Sequence, residues 1–228
     1  MSQNDDLLKL AAAESAVALV EDGMIVGLGT GSTATFAVSA LGRRVKEGLR
    51  IRGIPTSERT ATQARGLGIP ISSLSEEPQI DITIDGADQV EERSLNLVKG
   101  LGGALLREKI VATASRRLVI IVHDSKLVNR LASTGMVPIE VVRFGWQATA
   151  AHLTKLGAKP ALRRSSSGEP FQSDSGNYIV DCTFHPGVSA AELAAQLDHV
   201  VGVVEHGLFI GMTAEVHLAS AEGVRILK

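Results

Sequence analysis

Cysteine is nearly absent from this sequence, and its scarcity excludes two kinds of stabilising site. Among 228 residues the one cysteine is Cys182. A single thiol forms no internal disulfide and lacks the paired spacing of a zinc site, which is typical of proteins in a reducing compartment. We therefore expect a cytoplasmic protein in which Cys182 is a small buried hydrophobe.

Aromatic residues and a surplus of positive charge are also missing. Phe, Trp and Tyr make up 3% of the residues, and 23 Lys and Arg face 25 Asp and Glu, for a net charge of −2. Binding a nucleic acid takes clustered cations for the phosphates and, for single strands, aromatic rings on which the bases stack. The composition therefore predicts no nucleic-acid partner.

Long apolar runs are missing as well. The unbroken run at 118–122 is far shorter than the roughly 20 residues of a membrane-spanning helix. Residues 2–6 are polar or acidic, whereas an export signal begins with basic residues followed by an apolar run. We expect neither an export signal nor a membrane partner. With 44% hydrophobic and 21% charged residues, the composition is that of a globular protein with a full core.

Hydrophobic periodicity alternates helices with short strands along the first part of the chain. Helices are predicted at 6–20, 32–47, 58–66 and 104–114, and strands at 24–27, 49–54, 80–84 and 118–122. Ser32 or Thr33 is predicted to cap the second helix. The alternation, together with the fully apolar strand at 118–122, predicts an α/β fold with a Rossmann-like parallel sheet.

The pattern changes after residue 130. Strands at 137–142, 161–163, 178–183 and 200–204 and helices at 147–156 and 190–197 give the order βαββαβ, which is typical of a ferredoxin-like unit. The polar stretch at 165–170 is interpreted as a hairpin loop, with a phosphorylation site as the alternative. We predict an α/β domain of residues 1–130 plus 207–228 and an inserted, smaller ferredoxin-like α+β domain of residues 131–206.

Ligands of α/β sheets collect at the carboxyl ends of the strands, and three motifs follow predicted strands there. The first runs from Gly27 to Thr33 and offers glycines, helix N-terminal amides and the hydroxyls of Thr30, Ser32 and Thr33. Such a turn favours one phosphate group, although a purely structural turn is the alternative. It is not a P-loop, because no Lys follows its last glycine, and Ser32 stands where a dinucleotide fingerprint has its third glycine.

The second motif is Asp85-Gly86-Ala87-Asp88. Its carboxylates are suited to orienting hydroxyls, to acid or base catalysis, or to holding a metal ion, with a capped turn as the alternative. The third motif is Lys99-Gly100-Leu101-Gly102-Gly103. A cation beside a glycine-rich turn can stabilise negative charge on a substrate oxygen, and a surface lysine is the alternative.

Glu108 and Lys126 complete the candidate residues. Glu108 lies about 60° from Leu105 around the helix, at the border of the apolar stripe, so it is either a partly buried base or part of a solvated helix face. Lys126 follows the strand at 118–122 and is suited to a phosphate. The histidines other than His123 show no metal spacing, and we predict no metal site.

Taken in order, these motifs and Ser125-Lys126 resemble the signature blocks of ribose-5-phosphate isomerase type A. The resemblance covers nearly the whole chain, including 138–142 and 205–209. Its departures are Leu101, where the family often has Gly, Gln89, where an acidic residue is usual, and His123 before the Asp-x-Ser-Lys block. None of them removes a titratable group.

The resemblance implies interconversion of ribose 5-phosphate and ribulose 5-phosphate without a metal or organic cofactor. It implies that Glu108 is the base, that Lys99 with the amides of Gly100, Leu101 and Gly102 stabilises the oxyanion, and that Asp85 and Asp88 orient hydroxyls and assist ring opening. The substrate-binding residues that it implies are Thr30, Gly31, Ser32, Thr33, Asp85, Gly86, Ala87, Asp88, Lys99, Gly100, Leu101, Gly102 and Lys126, with Lys9 as a further phosphate candidate. A homodimer or a dimer of dimers is expected.

Two other functions use similar features. A non-catalytic sugar-phosphate sensor would keep the phosphate loop, but it has no need of Glu108 close to Lys99 in the sequence, and its helix-turn-helix segment has no room at this N-terminus. An amino-sugar phosphate deaminase would share the fold. Exchange of solvent protons into C1 or C2 of a pentose phosphate separates both from the isomerase.

Overall fold

The structure of the protein, a computed structural model, describes residues 3–133, 135–184 and 189–228. Within these ranges the helices are α1 (Gln3–Val17), α2 (Ser32–Lys46), α3 (Glu58–Gly66), α4 (Leu105–Thr113), α5 (Trp146–Lys155) and α6 (Ala190–Leu197), with a 3₁₀ turn at Asp124–Lys126. The strands are β1 (Ile25–Leu28), β2 (Arg52–Pro55), β3 (Ile82–Asp85), β4 (Gln89–Glu91), β5 (Leu97–Val98), β6 (Leu118–His123), β7 (Leu127–Val128), β8 (Val137–Val141), β9 (Ala158–Leu162), β10 (Tyr178–Phe184), β11 (Val203–His206), β12 (Leu208–Phe209), β13 (Glu215–Ser220) and β14 (Gly223–Leu227).

The chain divides into two compact units. The first contains Met1–Ala87, Arg107–Leu127 and Met212–Lys228, and the second contains Asp88–Leu106 and Val128–Gly211, each as far as its residues are described. The sequence-based limits placed 88–106, 128–130 and 207–211 in the first domain, whereas this division groups them with the second unit. β5 pairs with β12, and Val98 and Leu208 on these strands pack into the core of the second unit.

The first unit is built on a mainly parallel sheet with the strand order β14-β13-β6-β3-β1-β2 in the described part of the chain. The pairs from β2 to β13 are parallel, and β14 is antiparallel to β13. β6 is buried along Leu118 to Val122, as expected of a strand covered on both faces. Because β2 and β3 lie on opposite sides of β1, a crevice forms at the carboxyl ends of β1 and β3, where α/β proteins bind ligands.

The second unit contains the βαββαβ pattern. Its antiparallel sheet has the order β11-β8-β10-β9, and α5 and α6 contribute Leu153 and Leu197 to a core with Ile139 and Val180. Cys182 on β10 is fully buried, and burial raises the pKa of its thiol to about 12. A small sheet with the order β12-β5-β4-β7 completes the described strands.

The predicted α/β class is confirmed, and the helices predicted at 58–66 and 190–197 coincide with α3 and α6. The predicted cap of α2 is wrong. Ser32 is the first helical residue, and the cap position is Gly31, which makes no side-chain cap hydrogen bond. The φ of Gly31 is 134°, which glycine adopts without strain, so the helix starts without a side-chain cap. None of the described helices combines the length and the apolar character that crossing a membrane requires.

Candidate active site

Asp85 ties together the two loops of the switch-point crevice in the first unit. Its Oδ1 atom accepts hydrogen bonds from the backbone amides of Thr30, at 3.0 Å, and Gly86, at 2.7 Å. The carboxylate is 1% exposed, so these amides compensate its removal from water. The structure therefore brings together two predicted site residues, Thr30 and Gly86, around a third.

Gly29 allows the two loops to approach each other. A Cβ atom at this position would lie 2.2 Å from Oδ1 of Asp85 and 2.6 Å from its Cα. Because the second of these atoms is backbone, any larger residue would force the ends of β1 and β3 apart. The glycine that the phosphate-loop motif supplies here is needed for contact between strands.

A cluster of buried hydroxyls lies behind the loop. Thr30 Oγ1 is 2.7 Å from Thr56 Oγ1, 2.8 Å from Ser57 Oγ and 3.0 Å from Thr60 Oγ1. Ser57 also donates to Thr60, while Thr56 and Thr60 donate to the carbonyls of Leu28 and Gly29. Each of the four hydroxyl residues is at most 7% exposed. The cluster thus fixes the loop to the beginning of α3.

The protons of this cluster are already committed. Its four hydroxyls have one proton each, and these four protons serve the six contacts above, so contacts must share them. The backbone amide of Thr30 is also bonded, to Asp85. In this arrangement the hydroxyl and the amide of Thr30 both hold the loop, so we expect Thr30 to support the phosphate loop rather than to donate to a ligand.

The next three residues of the motif open α2 with different surroundings. Ser32 is exposed and Thr33 is 9% exposed, and the first amides of a helix have no partner within it. A Cβ on Gly86 would lie 3.9 Å from Thr33 Cβ. Gly31, Ser32 and Thr33 therefore lie beside the Asp85 loop, and their amides are suited to an anion.

Lys126 and Lys9, the two lysines predicted to bind the phosphate, both affect the pKa of His123 at the end of β6. The pKa of His123 is lowered, first by burial and then by the charge of Lys126, with a further contribution from Lys9, while Asp5 opposes the change. Lys126 is half-buried, and Lys9 is 4% exposed and lies 3.4 Å from Asp6 Oδ1. The first unit thus holds both lysines near the carboxyl end of β6.

Glu108 lies in the first half of α4 and is 4% exposed. It is buried more deeply than its position at the border of the apolar stripe predicted, which excludes the alternative of a solvated helix face. The preceding residue, Arg107, lies with its Nη1 atom 2.8 Å from Oε1 of Glu58 on α3 and holds the pKa of Glu58 below its usual value. This surface pair fixes α4 next to α3 at the residue that precedes the candidate base.

The Lys99 motif lies in the second unit. Lys99 is 2% exposed, and its Nζ atom is 5.6 Å from the centroid of the Phe209 ring. A surface lysine is thereby excluded. Asp88, in the same unit, accepts a hydrogen bond of 2.9 Å from the amide of Leu101, so one of the predicted oxyanion donors is already used.

Sequence reasoning missed the hydroxyl cluster and the contacts of the Lys99 loop. Thr56, Ser57 and Thr60 follow the predicted strand at 49–54, at a carboxyl end where hydroxyls are informative, so a signal was present. For Arg163, which bonds to this loop, no local signal existed. It is separated from the Lys99 motif by about sixty residues, and only tertiary structure joins them.

One cluster of possible metal ligands occurs among the described residues, and its chemistry does not fit a metal. Asp198, Glu205 and His206 lie close together, but Nδ1 of His206 accepts a hydrogen bond from the amide of Leu208. The ring proton is therefore on Nε2, which lies 3.1 Å from Asp198 Oδ1. A metal on Nε2 requires the opposite tautomer, so we interpret the cluster as a structural hydrogen bond.

A parallel sheet whose switch-point loops offer helix N-terminal amides, a buried carboxylate and two nearby lysines defines an α/β protein with a site suited to a small phosphorylated ligand. Comparison with known proteins identifies the family within this class. The model of the family described as Ribose 5-phosphate isomerase A (phosphoriboisomerase A) matches residues 52–223. Ribose-5-phosphate isomerase A of Gloeobacter violaceus is 58% identical over 222 residues, covering 97% of this chain and 96% of that protein.

Solved structures agree with the sequence comparisons. A ribose 5-phosphate isomerase A from Methanocaldococcus jannaschii superimposes with a TM-score of 0.94 at 38% identity, over 98% of this chain and 99% of that one. A D-ribose-5-phosphate isomerase in complex with phospho-erythronic acid gives a TM-score of 0.95 at 36% identity, over 99% and 100%. This chain belongs to the ribose 5-phosphate isomerase A family, and the resemblance identified from its motifs is confirmed.

Proposed function

We propose that Glu108 carries the proton in the reaction of this family. The protein is an aldose-ketose isomerase that interconverts ribose 5-phosphate and ribulose 5-phosphate. The observation that carries the assignment of the base is the burial of Glu108, 4% exposed, within the block that begins at Lys99. A carboxylate out of water is a stronger base than a solvated one.

The reaction needs a single base with access to two adjacent carbons. From the open-chain aldose, Glu108 takes the proton of C2, the electron pair of that C–H bond forms the C1–C2 double bond, and the C1 carbonyl oxygen becomes an enediolate oxyanion. The proton of the C2 hydroxyl then passes to the C1 oxygen, which becomes the C1 hydroxyl of the ketose, as the C2 carbonyl forms and Glu108 returns the first proton to C1. One carboxyl group serves both steps, because it is regenerated in each cycle.

We assign stabilisation of the negative charge on the oxyanion to Lys99 and to the glycine-rich loop. Lys99 is buried, and a cation out of water stabilises a nearby negative charge more strongly than a solvated one. The amides of Gly100 and Gly102 are the further donors. The amide of Leu101 instead fixes Asp88, whose proposed role, shared with Asp85, is to orient the sugar hydroxyls and assist ring opening.

We assign binding of the substrate phosphate to the first turn of α2 and to the lysines near β6. Gly31, Ser32 and Thr33 offer amides and hydroxyls, and Lys126 and Lys9 supply charge. Gly86 and Ala87 line the substrate on the Asp85 side. Binding energy from the phosphate, remote from the reacting carbons, can be used to orient the sugar.

The assignment of the base is tested with Glu108→Gln and with Glu47→Gln, a matched control at an exposed glutamate. In a coupled assay with a chelator present, we expect the first variant to lose turnover while its substrate affinity stays within about tenfold, because the amide keeps the shape and cannot accept the proton. Near-normal turnover would remove Glu108 from the mechanism. Loss of activity on chelation, with recovery on adding a divalent ion, would contradict the expectation that no metal is used.

A non-catalytic sugar-phosphate sensor is the rival function. It predicts that the wild type binds ribose 5-phosphate but incorporates no deuterium from D₂O into C1 or C2. The isomerase predicts incorporation that Glu108→Gln abolishes.

We further propose that the protein works in the cytoplasm as a homodimer or homotetramer. The lone buried thiol of Cys182 supports a reducing compartment. Light scattering coupled to size-exclusion chromatography measures the assembly, and a monomeric mass at micromolar concentration would contradict it.

A further inference from the structure

Arg163 joins the Lys99 loop to β10 within the second unit. It follows β9, and its Nη1 atom donates to the carbonyl oxygens of Gly100 and Leu101, both at 3.0 Å. Its Nε atom donates to Asp181 Oδ2 at 2.8 Å, and Nη2 donates to the other carboxylate oxygen. The side chains of Arg163 and Asp181 are each 13% exposed. One carboxylate therefore fixes the direction of the guanidinium, and Nη1 donates to the loop.

The aromatic ring of Phe171 supports the same arrangement from another side. The guanidinium carbon of Arg163 lies 5.8 Å from the ring centroid, within the range of a cation–π contact. A Cβ on Gly103 would lie 2.5 Å from the ring, so the end of the loop rests against Phe171. Arg163 and Phe171 therefore hold the loop at two separate points.

These contacts determine where the loop amides point. In a trans peptide the carbonyl and the N–H of the next residue point in opposite directions. Because Arg163 draws the carbonyls of Gly100 and Leu101 toward itself, the amides of Leu101 and Gly102 are directed away from it. The Leu101 amide confirms this geometry, since it donates to Asp88 Oδ2 at 2.9 Å. The Gly102 amide belongs to the next peptide, whose orientation Arg163 Nη1 fixes through the carbonyl of Leu101.

We propose that Arg163 is a positioning residue of the Lys99 loop. It aims the oxyanion-stabilising amide of Gly102 and the Leu101 amide that holds Asp88, and Asp181 fixes its guanidinium. The inference rests on the proposed function, in which the Lys99 loop stabilises the oxyanion. A lysine cannot replace Arg163, because an ammonium group lacks the planar fork that satisfies two carbonyls and a carboxylate together.

The test compares Arg163→Met with Arg164→Met. Arg164 is the neighbouring arginine, and it donates to a carbonyl outside the loop, that of Gly168, at 2.7 Å. We expect Arg163→Met to lower kcat by about 10- to 100-fold, as small misplacements of catalytic groups do, with KM within about threefold because the phosphate contacts remain. Arg164→Met should match the wild type. Equal kcat in the two variants would overturn the inference.

A second readout uses phospho-erythronic acid, whose planar carboxylate resembles the enediolate. Its inhibition constant should rise in Arg163→Met by a factor close to the loss in kcat/KM, as expected for a group that acts on the transition state. An inhibition constant unchanged from the wild type would overturn the inference.

The double variant Arg163→Met/Asp181→Asn separates positioning from stability. Arg163→Met alone leaves the Asp181 carboxylate nearly buried without its partner, so its thermal midpoint should fall. Replacing Asp181 by Asn removes that charge, and we expect the midpoint to recover while kcat stays low. Recovery of kcat together with the midpoint would show a merely structural role. Failure of the proposed function is distinguishable, because Glu108→Gln would then keep near-normal turnover.

Discussion

Thr30→Val tests whether the first hydroxyl of the phosphate loop supports the loop or contacts the ligand. Valine has nearly the shape of threonine and lacks the hydroxyl. In the wild type, four protons are shared among six contacts, three of which involve Thr30. Once its hydroxyl is gone, Thr56 still donates to Leu28, Ser57 to Thr60, and Thr60 to Gly29. Every remaining proton keeps an acceptor.

The expected cost is therefore that of one neutral hydrogen bond rather than three. A net loss of about 1 kcal/mol in the free energy of unfolding follows, or roughly 2–4 °C in the thermal midpoint for a protein of this size. KM should stay within about threefold of the wild type. If the hydroxyl instead donated to the phosphate, the loss would be about 1.5–3 kcal/mol, which corresponds to roughly a tenfold to hundredfold rise in KM.

Two matched variants sharpen the measurement. Thr30→Ser keeps the hydroxyl and should restore most of the stability, whereas Ser32→Ala, at an exposed position in the first turn of α2, should raise KM with little effect on stability. Urea denaturation and steady-state kinetics supply the two readouts. A tenfold rise in KM for Thr30→Val with an unchanged midpoint would refute the proton count on which the assignment depends.

The remaining predictions concern charge and burial. Lys126→Ala should raise KM about tenfold or more, because a charged hydrogen bond to phosphate contributes roughly 1.5–3 kcal/mol; an unchanged KM would exclude Lys126 from the phosphate site. Burial lowers the pKa of His217 below 6.5, although Glu215 opposes the change. The unfolded chain then takes up the proton more readily, so the free energy of unfolding should fall as the pH drops below 6.5, by at most about 1.4 kcal/mol per pH unit for this group. His217→Gln should flatten the decline, and an unaltered slope would contradict this reasoning. Cys182, whose thiol has a pKa of about 12, should react with a chromogenic disulfide reagent only as fast as the protein unfolds; rapid labelling at pH 8 would show that the thiol is accessible.

The local pattern of the chain was sufficient for most of the elements. Periodicity placed α3 and α6 at their observed bounds, and the apolar run at 118–122 predicted a strand covered on both faces, because these signals arise within a few residues of each other. The start of α2 was predicted correctly at Ser32, but its capping residue was not, since a glycine at the cap position leaves no side-chain signal. Strands of two or three residues, such as β5 and β12, are too short to show an alternating pattern and were not predicted.

For the active site, the sequence by itself determined the chemical groups, and the tertiary structure decided their states. The motifs fixed which carboxylates, lysines and hydroxyls the chain offers, and their spacing sufficed to indicate the family. Only folding showed that Glu108 and Lys99 are withdrawn from water, that Thr30 is turned toward Thr56, Ser57 and Thr60, and that Arg163 bonds to a loop about sixty residues away. Burial and hydrogen-bond partners depend on contacts distant in the chain, which no local pattern contains, and it is these contacts that set the basicity of a carboxylate and the direction of an amide.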